Sequence, residues 1–196
     1  DHPHSTIAVD RDAGRLVVGA NDGVCYAWTF PGLERVWTFE TDGDVKGPVA
    51  VHDGLAVFGS WDDYVYAVDL VDGREVWSFA AGADVMTGPA VADGTVYVGS
   101  EDENLYALAA DDGFRLWSFE TRGVVSSPTV ADGTVYVGSE DERLYALDVG
   151  NGSKRWEFEP RAVPKKPAVA DGTVYIGTDG NKVHAIDASA GSEQWT

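Results

Sequence analysis

The chain has 196 residues, and 33 aspartates and glutamates against 14 lysines and arginines give it a formal net charge of −19 at pH 7. This charge excludes a nucleic-acid or acidic-membrane binder that acts through overall charge, because a polyanion would be repelled at long range. Hydrophobic residues make up 44% of the chain, enough for the core of a globular domain, and a single cysteine excludes an intramolecular disulfide.

The sequence is built from one unit that repeats along its whole length. A tryptophan returns at intervals of 40, 40, 39 and 39 residues, and Asp-Gly pairs and a glycine keep the same register. Self-similarity at a fixed period of this size is typical of repeat architectures. We therefore interpret residues 1–196 as a single domain of five units, at about 5–40, 45–80, 85–120, 124–159 and 163–196.

The third unit illustrates the predicted elements. Four short runs rich in β-branched and aromatic residues, at 89–92, 95–99, 105–109 and 115–119, are predicted to be strands separated by polar turns. The first turn, Asp93-Gly94, tolerates the positive φ angles of a type I′ hairpin, so these strands are expected to pair in antiparallel fashion. Each unit is therefore predicted to be a four-stranded antiparallel meander.

A single four-stranded sheet of this size has two faces to cover and needs a similar sheet against each of them. Radial stacking supplies these neighbours in the β-propeller, where about four to eight blades surround a central channel. The sequence therefore predicts an all-β fold, a β-propeller of five four-stranded antiparallel blades.

One motif, Ala67-x-Asp69-x-x-x-Gly73-x-x-x-Trp77, recurs in the later units. It resembles the tryptophan-docking motif of the pyrroloquinoline-quinone-type (PQQ-like) β-propeller repeat family, related in architecture to WD40-like repeats. The resemblance implies that an outer-strand tryptophan of each blade packs on the neighbouring blade. The first unit departs from the motif, with its glycine one place early at Gly32. The predicted docking residues are Trp37, Trp77, Trp117, Trp156 and Trp195.

The resemblance leaves open how the blades close. Rings of about seven or eight blades, which the family forms, would need roughly 280 to 320 residues. We expect five blades that close by themselves, because whole repeats stand at both ends of the sequence. The alternatives are five blades that form part of a larger seven- or eight-bladed propeller, or closure by association with another copy.

The resemblance to this family suggests an enzyme, a quinoprotein dehydrogenase that uses the quinone and a calcium ion. Such enzymes resemble this chain in their repeat but carry an adjacent cysteine pair beside the cofactor, and only Cys25 is present here. We expect a non-catalytic scaffold that binds or assembles protein and needs no PQQ, calcium or other cofactor. The alternative is a partial or degenerate PQQ-dependent oxidoreductase.

An aspartate follows the second predicted strand of every unit. We expect these carboxylates to accept hydrogen bonds from the backbone of their own tight turns. A structural feature is expected in every unit, whereas a binding site is usually formed by residues that differ between units. The alternative is a ring of carboxylates that gathers calcium. The residues are Asp22, Asp62, Asp102, Asp141 and, shifted by one place, Asp179.

Candidate binding residues lie where the units differ from one another. The segments before each first strand and the turns after each second strand are expected on one face, at the channel mouth. Lysines there predict a local positive patch for an anionic ligand or a partner's carboxylates, and Trp61 could add a stacking surface. The alternatives are solvated loop charges and ordinary edge packing. The candidates are Lys46, Trp61, Thr87, Ser126, Lys165 and Lys166.

These observations lead to expectations about partners and compartment. We expect a protein partner or a small anionic ligand at the propeller face, and a monomer if the ring closes but a homo-oligomer otherwise. No apolar run approaches the roughly 20 residues that span a bilayer, and no targeting segment is present in this chain. The resemblance points to the extracellular or cell-surface side. The acidic composition is similar to that of proteins from salt-loving archaea, which stay hydrated in concentrated salt.

Overall fold

The computed structural model describes residues 5–196, which form 20 strands in five four-stranded sheets. The fold is all-β, as predicted, and the described residues contain no helix. The first two blades comprise β1 (Ala8–Asp10), β2 (Arg15–Gly19), β3 (Val24–Thr29), β4 (Arg35–Glu40), β5 (Ala50–His52), β6 (Leu55–Gly59), β7 (Tyr64–Asp69) and β8 (Glu75–Ala80). The third and fourth comprise β9 (Ala90–Ala92), β10 (Thr95–Gly99), β11 (Asn104–Ala109), β12 (Arg115–Glu120), β13 (Thr129–Ala131), β14 (Thr134–Ser139), β15 (Arg143–Asp148) and β16 (Lys154–Phe158). The fifth comprises β17 (Ala168–Ala170), β18 (Thr173–Gly177), β19 (Val183–Asp187) and β20 (Glu193–Trp195).

Each sheet is an antiparallel meander whose strands pair in chain order. The first hairpin of the third blade pairs Thr95 with Ala92 across the predicted turn. Asp93 and Gly94 in that turn have φ angles of 48° and 71°, the positive values that a type I′ turn requires. The short Asp-Gly turn therefore fixes which residues of the inner strands face each other.

The docking tryptophans sit at a repeated irregularity in the outer strand pair. In the third blade Ala107 pairs with Trp117, and the next pair is Leu108 with Arg115, so the register shifts between them. Such a β-bulge increases local twist and redirects side chains. The same shift follows the alanine–tryptophan pair in every blade.

The hydrophobic cores lie between blades. One buried cluster joins Val17 and Trp37 of the first blade to Phe58 and Leu70 of the second. Three further clusters join the second to the third, the third to the fourth, and the fourth to the fifth blade. The facing sides of consecutive blades are therefore buried against each other at all four junctions, as the propeller prediction requires.

The inner strands follow one another around the channel: β1 contacts β5, β5 contacts β9, β9 contacts β13, and β13 contacts β17. At the fifth blade the outward face is open, because Trp195 is 51% exposed and an added Cβ at Gly177 would meet no atom within 4 Å. The expected self-closed ring is therefore not formed at this face. An open face fits both alternative expectations, five blades that form part of a larger propeller and closure by association with another copy.

Candidate functional site

The channel mouth is formed by connecting segments that bridge the turns of neighbouring blades. Between the first two blades, the Asp44 carbonyl accepts a hydrogen bond from the Trp61 backbone N–H at 3.0 Å, while the Val45 N–H donates to the Ala20 carbonyl at 3.0 Å. At the next junction the Asp84 carbonyl accepts from Glu101 at 2.9 Å. Below, the mouth means segments 44–47, 84–87, 124–127 and 163–166 together with turns 20–23, 60–63, 100–103, 139–142 and 178–181.

Lys46 and Trp61 form a compact corner of the mouth. The Lys46 ammonium lies 3.3 Å from the centroid of the Trp61 ring and 2.9 Å from a carboxylate oxygen of Asp44. A cation above the face of an indole is attracted by the ring quadrupole. The indole nitrogen of Trp61 is buried and has no hydrogen-bond partner among the described residues. The corner thus combines an ion pair, an aromatic plane and a buried donor without a partner.

Thr87 and Ser126 have hydroxyl groups that are engaged with the backbone of their own blades. The Thr87 hydroxyl donates to the Gly99 carbonyl at 2.7 Å and accepts from the Gly99 N–H at 3.0 Å. The Ser126 hydroxyl accepts from the Gly138 N–H at 3.0 Å. Both side chains therefore extend the inner strand pairing at the mouth.

Lys165 and Lys166 are exposed at the junction between the fourth and fifth blades. The Lys165 backbone N–H donates to the Gly177 carbonyl at 2.9 Å, which fixes the segment against the fifth blade. Lys46 stands at the junction of the first two blades, so the mouth carries its lysines at two junctions rather than at one. The role of these side chains in binding stays a prediction.

Four of the five turn aspartates accept a hydrogen bond from the backbone of their own turn, as expected: Asp22, Asp62, Asp102 and Asp141. Asp179 instead accepts from the Val163 N–H of the connecting segment at 3.0 Å. Asp62 accepts through one oxygen from the Tyr64 N–H at 3.2 Å. Its other oxygen accepts from the Tyr66 hydroxyl at 2.9 Å and from the Asp42 N–H in the preceding connecting segment at 3.0 Å. Asp102 and Asp141 accept the equivalent three hydrogen bonds. These carboxylates are thus committed to the scaffold.

The tyrosines that donate to these aspartates are held in their neutral form. Burial, followed by the hydrogen bond to Asp141, raises the pKa of Tyr145 to about 12. The same causes raise the pKa of Tyr66 and Tyr106. The hydroxyl groups therefore remain donors throughout the neutral range.

Residues 5–196 contain no group of three or more histidine, cysteine, aspartate or glutamate side chains arranged to hold a metal ion. Cys25 is fully buried, and this burial raises the pKa of its thiol. The thiol is therefore held in its protonated form within the core between the first two blades.

Sequence reasoning missed two contributors to the site. Asp44, the carboxylate beside Lys46, was not a candidate, although its position two residues before the lysine was a usable signal. The second is the unpartnered indole nitrogen of Trp61, which no sequence pattern reveals because it depends on the surrounding loops.

The blade architecture and the repeated tryptophan junctions define a PQQ-like repeat β-propeller. A family model described as outer membrane protein assembly factor BamB matches residues 2–87 and 62–196, and the chain belongs to this family. No curated protein matches the chain significantly in sequence.

Solved structures share the fold at low sequence identity. BamB from Moraxella catarrhalis matches all of this chain with a TM-score of 0.86 at 19% identity, and the chain spans 64% of that protein. The computationally designed Ika8 protein matches 96% of the chain with a TM-score of 0.86 at 16% identity, and 59% of Ika8 is covered. The WD40 propeller domain of Doa1 matches 96% of the chain with a TM-score of 0.78 at 19% identity, and 66% of that chain is covered. Within residues 5–196 there is no helix of the length and apolarity that crossing a bilayer requires.

Proposed function

We propose that this chain is a non-catalytic propeller module that binds a protein partner at the mouth. The observation that carries the proposal is the corner formed by Lys46, Asp44 and Trp61. Tryptophan is among the residue types enriched at the hot spots of protein interfaces, and the cation–π contact with Lys46 holds the Trp61 ring in place at the mouth. The corner lies in loops, whereas the sheets beneath it repeat the same strand pattern in every blade. The side chains of Lys46 and Trp61 are therefore not part of the pattern that packs the blades.

The mouth carries different side chains at equivalent backbone positions. The position of Trp61 is taken by Glu101 in the third blade, Glu140 in the fourth and Asp179 in the fifth, each next to its connecting segment. The mouth therefore runs from an ion-paired and aromatic corner, across carboxylates, to the lysines of the last junction. A partner segment that carries both positive and negative side chains would complement this sequence of charges.

The family assignment supports a role in binding protein, because the matching family is described as an outer membrane protein assembly factor. We extend this description to the present chain as a proposal: it acts on the outer side of a membrane and holds another protein. The strongly negative surface keeps such a module hydrated and separate from other acidic surfaces.

The test is site-specific photo-crosslinking in cells or extracts of the source. A photoreactive phenylalanine analogue replaces Met86, which is exposed at the mouth, and in a matched control replaces Leu116, which is exposed on the outer strand β12. We expect a discrete protein adduct from position 86 and none from position 116. Trp61→Ala and Lys46→Glu, each combined with the probe at position 86, should reduce the adduct about tenfold, as loss of an interface hot spot does.

Adducts of equal yield from both positions, or an adduct at position 86 that is insensitive to both substitutions, would contradict the proposal. Catalysis is tested in parallel with added PQQ, calcium and an alcohol. Reduction of an electron-accepting dye by this mixture, above the level without protein, would assign the chain to the oxidoreductases instead.

A further inference from the structure

The turn between β15 and β16 contains the tripeptide Asn151-Gly152-Ser153. An asparagine followed at the second place by serine or threonine, with any residue except proline between them, is the acceptor motif for N-linked glycosylation. The other asparagines of the chain, Asn21, Asn104 and Asn181, are followed at the second place by glycine, tyrosine and valine. The sequence therefore contains one complete acceptor motif.

The structure exposes this motif at the surface in a fixed conformation. Asn151 and Ser153 are exposed, whereas Gly152 between them is buried beneath the Trp117 ring of the third blade. The Asn151 Oδ1 accepts a hydrogen bond from the Ser153 N–H at 2.9 Å. The Asn151 Nδ2, the atom that would carry a sugar, donates no hydrogen bond to any residue between 5 and 196. The amide nitrogen is thus free to react.

The scaffold requires only the oxygen of the Asn151 side chain. In the second and third blades Asp72 and Asp112 occupy the same place, and each accepts from the backbone N–H two residues further on, at 3.1 and 2.9 Å. An aspartate therefore supports this turn as an asparagine does, because both present an oxygen to the backbone. Only the fourth blade combines an amide nitrogen with a hydroxyl group at Ser153, and blade packing does not account for this pair.

The turn lies at the end of the blade opposite the mouth. The strands pair in chain order as an antiparallel meander, so the turn after the second strand and the turn after the third stand at opposite ends of each blade. The mouth includes the first of these turns, and Asn151 lies in the second. A sugar chain on Asn151 would therefore leave the mouth free to bind a partner.

We infer that Asn151 is an N-glycosylation site whose sugar donor is a lipid-linked oligosaccharide. In the transfer, a bond forms between the Asn151 Nδ2 and the anomeric carbon of the first sugar, while the bond from that carbon to the phosphate oxygen of the donor breaks. The amide nitrogen loses one proton, and the lipid phosphate leaves with the electron pair of the broken bond. The inference rests on one part of the proposed function, a location on the outer side of a membrane, and not on binding at the mouth.

The test is peptide mass spectrometry of the full chain produced in cells of the source. Trypsin cleaves after Arg143 and Lys154, so the motif lies within one peptide, residues 144–154. Asn151→Asp keeps the oxygen that the turn needs and removes the amide nitrogen. Ser153→Ala removes the hydroxyl group and keeps the asparagine, whereas Ser153→Thr keeps both groups. As a matched gain of function, Ala190→Asn completes the same motif in the equivalent turn of the fifth blade, Ala190-Gly191-Ser192.

We expect peptide 144–154 of the parent protein to carry a sugar chain. The sugar should be lost in Asn151→Asp and Ser153→Ala, and it should be kept in Ser153→Thr. Ala190→Asn should gain a second sugar chain, in the tryptic peptide that begins at Val183. Because aspartates support the same turn in two other blades, Asn151→Asp should remain folded, and its loss of sugar then reports the missing amide nitrogen.

An unmodified peptide 144–154 in the parent protein, or a sugar chain that persists in Ser153→Ala, would overturn the inference. A membrane-impermeant amine reagent applied to intact cells separates this failure from failure of the proposed function, since Lys165 and Lys166 are exposed. Labelled lysines together with an unmodified Asn151 would overturn the glycosylation alone. Unlabelled lysines would overturn both the glycosylation and the location on the outer side of a membrane.

Discussion

At the scale of single residues, Gly113 and Gly94 share a positive φ angle but have different roles. Gly113 has a φ of 72°, and a Cβ there would come within 2.7 Å of the Trp77 ring. Gly94 has a φ of 71°, but a Cβ there would meet no atom within 4 Å. The first glycine is needed for space and conformation, the second for conformation only.

We predict that Gly113→Ala destabilises the protein more than Gly94→Ala does. Both substitutions incur the cost of a positive φ, of order 1 kcal/mol, and only the first forces the Trp77 ring to move, for about 1–3 kcal/mol more. Denaturant unfolding of both variants and the parent protein measures the difference. Equal losses of stability at the two positions would show that the indole adjusts without cost.

The tyrosine–aspartate pairs lead to a prediction about alkaline pH. The pKa of Tyr145 in the folded protein is about 12, against an ordinary value of 10.0. Below pH 10 the tyrosine is neutral in both states, and its stabilising contribution is fully present. Between pH 10 and 12 the unfolded chain loses this proton first, so stability falls as pH rises, by at most about 1.4 kcal/mol per pH unit for each such group.

We therefore expect the free energy of unfolding to decrease steeply above pH 10. Tyr145→Phe should be less stable than the parent protein at pH 7, because it lacks the hydrogen bond to Asp141, but should lose less stability between pH 10 and 12. Urea unfolding at a series of pH values measures both effects. Parallel pH profiles for the two proteins would contradict this assignment.

At the scale of elements, each outer strand is joined to the next sheet by one indole. The Trp77 N–H donates to the Ala110 carbonyl at 2.8 Å, whereas Trp195 on the last outer strand makes no such bond within the described residues. Trp77 is thus buried between two blades and Trp195 is exposed, so the same substitution at the two positions compares a covered indole with an uncovered one.

Trp77→Phe is expected to lower the free energy of unfolding by about 1–3 kcal/mol, because a buried carbonyl loses its donor and the smaller ring leaves space. Trp195→Phe should change stability by no more than about 0.5 kcal/mol, since the indole is half exposed. Thermal and denaturant unfolding of the two variants test the prediction. A large loss at Trp195 would mean that this face is covered in solution.

At the scale of the whole molecule, the net charge of −19 opposes compaction. Lysines and arginines number only 14, so most carboxylates have no opposite charge to pair with. Salt shortens the range of the repulsion from about 10 Å at 0.1 M to about 3 Å at 1 M.

We predict that the unfolding temperature rises between 0.1 and 1 M potassium chloride. The rise should be smaller in a variant with Asp111→Asn, Glu120→Gln and Glu140→Gln, which removes exposed carboxylates without removing a side-chain hydrogen bond. Sucrose at equal osmolality controls for effects other than screening. An identical salt response in both proteins would show that repulsion among carboxylates does not limit stability.

Much of the fold was accessible from sequence because its determinants are local and repeated. The Asp93-Gly94 turn sets a hairpin by its own φ angles, and the recurring tryptophans count the blades. Four of the five turn aspartates were also interpreted correctly, since their hydrogen bonds within the turn reach only two residues along the chain. Asp179 is the exception, because it accepts from Val163, 16 residues away. The binding role of the mouth, inferred from positions where the units differ, stays a prediction.

Other features depend on residues that are distant in sequence, and only the tertiary structure decided them. Contacts across each junction decide which faces are covered, so counting repeats could not show that the outward face of the fifth blade stays open. In the first blade Leu33 follows Gly32, the glycine that the sequence places one position early. Only the positive φ of Leu33 and its hydrogen bond to the Thr29 carbonyl show that Leu33 stands where the second blade has Gly73. The sequence by itself thus determined the blade, its turns and its docking tryptophans, because short-range geometry fixes them. Which blade faces are covered within residues 5–196 was decided by contacts between blades, because those contacts join residues from different repeats.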